Sequence, residues 1–129
     1  MDTMEPHSMN ILIIDDDKDF LFLLSKTMSK HGYHMYTAPN GLKALDELSD
    51  HKIDLIISDV LMADTPIMSL TCTLKSLYPK TPIILVSGLP SGPLINNTLT
   101  LGADEFIPKP INMNQLYTTI DKLSSGMAA

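Results

Sequence analysis

The sequence holds a single cysteine, Cys72, so no disulfide can form within the chain. No apolar run approaches the roughly 20 residues that a membrane-spanning helix needs. Cations are also scarce, with 9 Lys and Arg against 15 Asp and Glu and a net charge of -6. Non-specific nucleic-acid binding depends on clustered Lys and Arg, so this composition argues against direct contact with nucleic acid. A local metal site stays open, because gathered carboxylates attract cations.

The length of 129 residues and the 44% hydrophobic content fit one globular domain. Residues 1–9 are polar and lack the apolar centre of a secretory signal, so we expect a flexible leader and a cytoplasmic protein. The domain itself is expected over residues 10–123. The small residues of 124–129 predict a frayed tail.

Five short apolar runs alternate with helical patterns along the chain. Continuous rather than alternating apolar runs are typical of parallel strands covered by helices on both faces. Five β-α units predict an α/β fold with a doubly wound parallel sheet and right-handed crossovers. The runs lie at residues 11–14, 33–37, 55–57, 83–86 and 105–107.

The segments between these runs carry signals of helix starts and stops. Asn40 and Asn112 are suited to cap helices, and Gly32 to end one. The segment 93–101 is the poorest helix, because it is rich in weak helix formers. The second helix is expected to bury an apolar face made of Leu42, Leu45 and Leu48.

Chemically useful side chains follow four of the apolar runs. Ligands of doubly wound sheets bind beyond the carboxyl ends of the strands, so we expect these side chains to converge at one edge. They are Asp15, Asp16 and Asp17 after the first run, Asp59 after the third, Ser87 after the fourth and Lys109 after the fifth.

This combination of residue types suits phosphoryl transfer. Clustered carboxylates supply the oxygen ligands that Mg²⁺ prefers, and a carboxylate can itself form an aspartyl phosphate. Phosphoryl transfer depends mainly on positioning and charge neutralisation, which a metal, Lys109 and Ser87 would supply. Taken singly, each residue has an ordinary explanation as a helix cap, a turn residue or a surface lysine. The joint pattern favours a phosphoryl site.

At these positions the chain resembles the receiver domain of two-component response regulators. The resemblance spans residues 10–123 and implies a flavodoxin-like strand order 2-1-3-4-5 with five helices. Four stretches carry it: ILIIDDD at 11–17, DLIISDVLM at 54–62, PIILVSG at 82–88 and GADEFIPKP at 102–110.

The resemblance implies that Asp59 is the phosphoacceptor. Asp15 and Asp16 would form the family's acidic pair, and together with Asp59 and the backbone carbonyl of Leu61 they would bind Mg²⁺ or Mn²⁺. A sensor histidine kinase or a phosphotransfer protein would supply the phosphoryl group. The domain would catalyse only its own phosphorylation and dephosphorylation. Members of the family commonly form a homodimer through the last helix and its neighbouring strand.

The resemblance also assigns the switch. Ser87 would bind the phosphoryl group, Phe106 would turn inward when Ser87 moves, and Lys109 would pair with the phosphate. The bond between Lys109 and Pro110 is expected to be cis, an isomer that proline makes accessible. Phe106 stands where a tyrosine is commoner, so its switch can only be steric.

The chain departs from the family pattern beyond Asp59. Ala63 stands where a proline is usual and Ile67 where a glycine is usual, so the course of this loop can differ and with it the Leu61 carbonyl. The resemblance implies that the side chains of Leu61 and Leu89 flank the path of the hydrolytic water. Neither can orient water by hydrogen bonds, which predicts slow loss of the phosphoryl group.

Two other functions remain open from the sequence. The first is a pseudo-receiver, an interaction module whose site no longer accepts phosphate. The second is a phosphatase of the haloacid dehalogenase type, since Asp15 and Asp17 have the Asp-x-Asp spacing of that class. The position of an aspartyl phosphate separates the phosphatase, which would use Asp15, from the receiver, which would use Asp59.

Overall fold

The fold is a five-stranded parallel sheet with helices on both faces. The computed structural model describes residues 9–88 and 91–128. The sheet contains β1 (Asn10–Ile14), β2 (His34–Ala38), β3 (Leu55–Asp59), β6 (Ile83–Ser87) and β7 (Glu105–Pro108), in the order β2-β1-β3-β6-β7. A small hairpin, β4 (Leu61–Met62) and β5 (Thr65–Pro66), follows β3. The predicted flavodoxin-like order is confirmed, since the hairpin strands stand outside the main sheet.

Five helices join the strands: α1 (Lys18–Lys30), α2 (Gly41–Asp50), α3 (Ile67–Leu77), α4 (Gly92–Thr100) and α5 (Met113–Ala128). Cys72 lies exposed on α3. In the described part of the chain, no helix has the length and apolar character needed to cross a bilayer.

The central strands are mostly apolar because the sheet is buried on both faces. Successive side chains of a strand point to opposite faces, and the core accordingly divides into two clusters. Leu12 and Ile56 belong to one cluster, while Ile11, Ile13 and Ile57 belong to the other. This two-sided burial explains why the strands show no alternation of polar and apolar residues.

The predicted helix ends are present. Asn40 Oδ1 accepts a hydrogen bond from the Lys43 amide at 2.9 Å, and Gly32 takes a φ of 111° after α1. The weak segment near residue 93 does form a helix, α4, whose start is capped by the Ser91 hydroxyl.

The predicted apolar face of α2 is wrong at Leu42, which is 73% exposed. The buried face consists of Gly41, Ala44 and Leu48. The reason is a close approach to the hairpin, where the Gly41 amide donates to Thr65 Oγ1 at 3.0 Å. A Cβ on Gly41 would lie 2.9 Å from Thr65 Cγ2, so small residues face inward and Leu42 is turned to solvent.

The described ends of the chain do not stop at the predicted domain boundaries. Residues 1–8 of the predicted leader lie outside the described residues. Met9, its last residue, packs against the core and accepts a backbone hydrogen bond from His34. At the other end α5 continues to Ala128, past the predicted domain end at Leu123. The division into leader, domain and tail stays a prediction.

The cap of α5 generates a test of the fold. Asn112 Oδ1 accepts from the Gln115 amide at 3.0 Å, so Asn112→Ala should lower the free energy of unfolding by about 1 kcal/mol. The exposed Asn114, in the first turn of α5, is the matched control, and Asn114→Ala should change the free energy of unfolding by less than about 0.5 kcal/mol. Urea unfolding measures both; equal effects would contradict the capping role.

Candidate functional site

The carboxyl ends of β1, β3, β6 and β7 bring the candidate residues to one edge of the sheet. Asp59 and Ser87 are the last residues of β3 and β6, and Asp15 and Lys109 come directly after β1 and β7. The parallel register places Asp59 opposite Val86, and Ser87 opposite Pro108. Residues that are far apart in the chain therefore become neighbours because their strands end at the same level.

Three carboxylates form the centre of the site. Asp15, Asp16 and Asp59 each offer an oxygen, and these oxygens all lie within 4.8 Å of one another. Asp15 is only 1% exposed and Asp59 is buried, while Asp16 lies at the exposed rim. Such a set of hard oxygen donors fits a divalent cation of the Mg²⁺ type.

Lys109 supplies the opposing charge. Its Nζ lies 3.0 Å from Asp15 Oδ2 and 3.3 Å from Asp59 Oδ1. The ring of Phe20 covers the ammonium on another side, with its centroid 4.2 Å from Nζ. Sequence reasoning did not find Phe20 in the site. The available signal was its place in the first turn of α1, which starts at the carboxyl end of β1.

The acidic run after β1 divides into two functions. Asp15 points into the site, and its Oδ1 also accepts from the Asp17 amide at 2.9 Å. Asp17 caps α1 instead, because its Oδ1 accepts from the amides of Asp19 at 3.0 Å and Phe20 at 3.2 Å. The helix-cap explanation therefore applies to Asp17, whereas Asp15 and Asp16 join the cluster.

The loop beyond Asp59 forms the hairpin of β4 and β5. Asp16 Oδ2 accepts a hydrogen bond from the Ala63 amide at 3.2 Å. A proline, the residue expected here from the family pattern, has no N–H to donate. This departure thus ties the hairpin to the acidic pair. Leu61 belongs to the hairpin, directly after Val60 and close in sequence to Asp59, and its side chain is 59% exposed.

The expected switch residues lie on β6 and β7. Ser87 is buried, and its carbonyl accepts from the Lys109 amide at 2.8 Å. Phe106 stands opposite Leu85 in the register and packs, half-buried, against the core. The peptide bond between Lys109 and Pro110 is cis, as the resemblance implied.

Burial and charge shift the protonation equilibria of the site. Burial, and then the negative charge of Asp15, raise the pKa of Asp59 above its usual 3.8, although Lys109 and the Val60 amide act in the opposite direction. Burial favours the neutral form of Lys109, yet its contacts with Asp15 and Asp59 prevail and raise its pKa. One ammonium thus pairs with two of the three clustered carboxylates, and the excess negative charge favours a bound cation.

The raised pKa of Asp59 predicts a pH-dependent effect on stability. Because folding raises this pKa above 3.8, the ionised form weakens the metal-free fold at neutral pH, and this penalty disappears below pH 3.8. We therefore expect Asp59→Asn to be more stable than the wild type near pH 7, with a difference that shrinks on acidification. Urea unfolding at several pH values, with a chelator present, measures this difference in the free energy of unfolding. A less stable variant at pH 7 would contradict the charge argument.

Magnesium should change the difference in stability between the wild type and Asp59→Asn. A ligand that binds only the folded state raises stability, so Mg²⁺ should stabilise the wild type more than Asp59→Asn and narrow the gap between them. An equal response of both proteins would mean that Asp59 takes no part in binding the ion.

Comparisons with known proteins identify the family of the chain. The family model described as "Response regulator receiver domain" matches residues 11–121. "Transcriptional regulatory protein CpxR" of Escherichia coli is 37% identical over 112 residues, which cover 85% of this chain and 47% of that protein. "Transcriptional regulatory protein GlrR" of Escherichia coli is 32% identical over 112 residues, covering 87% of this chain and 25% of that protein. The chain thus spans a quarter to a half of these curated relatives.

Solved structures agree with this assignment. A two-component response regulator from Clostridium difficile has a TM-score of 0.89 at 26% identity, covering 95% of this chain and 100% of that one. A CheY-like receiver domain protein from Methanospirillum hungatei has a TM-score of 0.85 at 28% identity, covering 92% of this chain and 95% of that one. The fold, the strand-end residues and the family match lead to one conclusion: the chain belongs to the receiver domains of response regulators.

Proposed function

We propose that the chain is a phosphoacceptor switch in which Asp59 receives a phosphoryl group from a phosphohistidine. The donor would be a sensor histidine kinase or a phosphotransfer protein, and Mg²⁺ or Mn²⁺ would be required. One observation carries the proposal: the Asp59 carboxylate lies beside Lys109, with oxygens of Asp15 and Asp16 within 4.8 Å. This combination provides a nucleophile, a cation and a set of metal ligands.

In the proposed step an oxygen of Asp59 attacks the phosphorus, and the bond from phosphorus to the donor imidazole breaks. The freed imidazole takes a proton from solvent. Lys109 neutralises charge on the phosphoryl oxygens, since its ammonium already lies 3.3 Å from Asp59. Asp15, Asp16, Asp59 and the Leu61 carbonyl would hold the metal ion, whose charge offsets that of the phosphoryl group.

The output of the switch would pass through Ser87 and Phe106. The Ser87 hydroxyl would move to bind a phosphoryl oxygen. The side chain of Phe106 would then turn inward, into the space that Ser87 leaves. Ser87 ends β6, the strand next to β3, and Phe106 lies on β7, the strand beyond it, where it is already half-buried against the core. Phosphorylation would change the populations of two packings of this side chain.

The geometry weighs against the phosphatase alternative. That class needs two aspartates, two positions apart, in one site, whereas Asp17 is engaged as the cap of α1. Asp15 is 1% exposed and paired with Lys109, which leaves it poorly placed as a nucleophile. The pseudo-receiver alternative loses support because the residues proposed as acceptor, acidic pair and cation lie close together.

We further propose a cytoplasmic signalling domain that has no enzymatic activity beyond its own phosphorylation and dephosphorylation. The net charge of -6 supports a domain that makes no direct contact with nucleic acid. The names of its relatives refer to transcriptional regulation, and most of their length lies outside the matched region. A homodimer through α5 and β7 remains a family-based proposal.

The proposal predicts a mass change. Incubation with acetyl phosphate and Mg²⁺ should add one phosphoryl group to the intact protein, with no addition to Asp59→Ala or in the absence of the metal. Fragment masses should place the group on Asp59. Label on Asp15 would instead identify a phosphatase. No label, under conditions that label a known receiver, would favour the pseudo-receiver.

The apolar Leu61 predicts a long phosphoryl lifetime. In the family, the side chain at this position flanks the path of the hydrolytic water, and one that can hold a water should speed hydrolysis. We therefore expect Leu61→Gln to shorten the half-life of the phosphoprotein by about threefold or more. Leu42→Gln is the matched control, because Leu42 is also an exposed leucine. Equal half-lives in the two variants would refute the idea. Leu89, the second expected position, lies outside the described residues.

A further inference from the structure

We propose that Phe20 is a positioning residue for the phosphorylation step, whose ring holds the Lys109 ammonium in place over the acidic cluster. The inference rests on the proposed phosphoryl transfer to Asp59. Its basis is the short distance of 4.2 Å between the ring centroid and Nζ. A cation over the face of an aromatic ring is attracted by the electron density of that face.

The ammonium of Lys109 is held from three directions. Asp15 Oδ2 lies 3.0 Å away, Asp59 Oδ1 3.3 Å away, and the ring of Phe20 covers a further side. A lysine side chain is a flexible stem with a compact charge, so its position depends on such contacts. The ring also shields one side of the ammonium from water.

The three contacts behave differently during the reaction. The contact with Asp59 changes, because the carboxylate oxygen that bonds to phosphorus gives up its negative charge. Asp15 is expected to bind the metal ion as well, and it shares its charge between two cations. The contact with Phe20 stays the same throughout. The ring can therefore keep Lys109 in position while its other partners change.

Phe20 is itself firmly placed. Its amide donates to the capping Asp17 at 3.2 Å, which fixes the first turn of α1 against the site. Its side chain packs, half-buried, against the core cluster that contains Leu24. Ile111, two residues after Lys109, lines the same groove as the ring. The ring thus has little freedom to leave the ammonium.

The same helix provides a matched control. Phe22 also lies under a lysine, with Lys26 Nζ at 5.8 Å from its centroid, but this pair is on the surface and away from the acidic cluster. Phe22 is 64% exposed, so its replacement disturbs the fold no more than that of Phe20 does.

The test measures the initial rate of Asp59 phosphorylation by acetyl phosphate at saturating Mg²⁺. Phe20→Leu keeps apolar bulk and removes the ring, and we expect a rate about fivefold lower. A trifluorinated phenylalanine at position 20 keeps the shape and withdraws electron density from the ring face, so it should also lower the rate. Phe22→Leu should stay within about twofold of the wild type.

Two results would overturn the proposal. One is a rate for Phe20→Leu equal to that of Phe22→Leu. The other is a normal rate for the fluorinated protein, which would show that only packing matters. Thermal unfolding of each variant identifies any loss of folded protein, and the fluorinated variant keeps the test valid if Phe20→Leu fails to fold.

Nuclear magnetic resonance separates this proposal from the proposed function. Ring current should shift the ε-methylene protons of Lys109 upfield in the unphosphorylated wild type and in Phe22→Leu, but not in Phe20→Leu. If the wild type accepts no phosphoryl group, the proposed function fails, while the shift still reports the ring contact. An unshifted Lys109 in the wild type would overturn the positioning role by itself.

Discussion

Repulsion among Asp15, Asp16 and Asp59 is the constraint that organises the carboxyl edge of the sheet. Three carboxylates with oxygens within 4.8 Å oppose folding unless positive charge compensates them, and Lys109 is the compensating cation in the described part of the chain. The buried strands keep these groups together despite the repulsion, because moving the strand ends apart would withdraw the apolar residues of β1, β3 and β6 from the core. The packing of the sheet thus keeps the three carboxylates close together despite their repulsion.

Backbone amides around the cluster bind the acidic side chains at different places. Asp17 satisfies the start of α1, which leaves Asp15 and Asp16 for the site. The Ala63 amide binds Asp16 and so draws the hairpin against the acidic pair. These local bonds fix the side chains before any cation arrives, and such preorganisation lowers the cost of binding one.

Features set by the strands were predictable from the sequence, and features set by contacts between elements were not. The continuous apolar runs predicted β3 and β6 because parallel strands are buried on both faces, and the residues after those runs predicted the cluster. The inward face of α2 was wrong at Leu42, because the approach of Gly41 to Thr65 depends on where the hairpin lies. The contact of Phe20 with Lys109 was missed for the same reason, since helix packing decides where that ring points.

The helix next to the proposed switch is held in a different way from the acidic cluster. No charged residue occurs between Lys80 and Asp104, and Thr98 is the buried residue of α4. Ion pairs therefore cannot set the position of this helix through its own side chains; caps and apolar packing must do so. Phe106 and Leu94 pack against the same core cluster as the strands. A change at Ser87 would reach α4 through packing, so strong electrostatics at the acceptor would be converted into a steric signal at the surface.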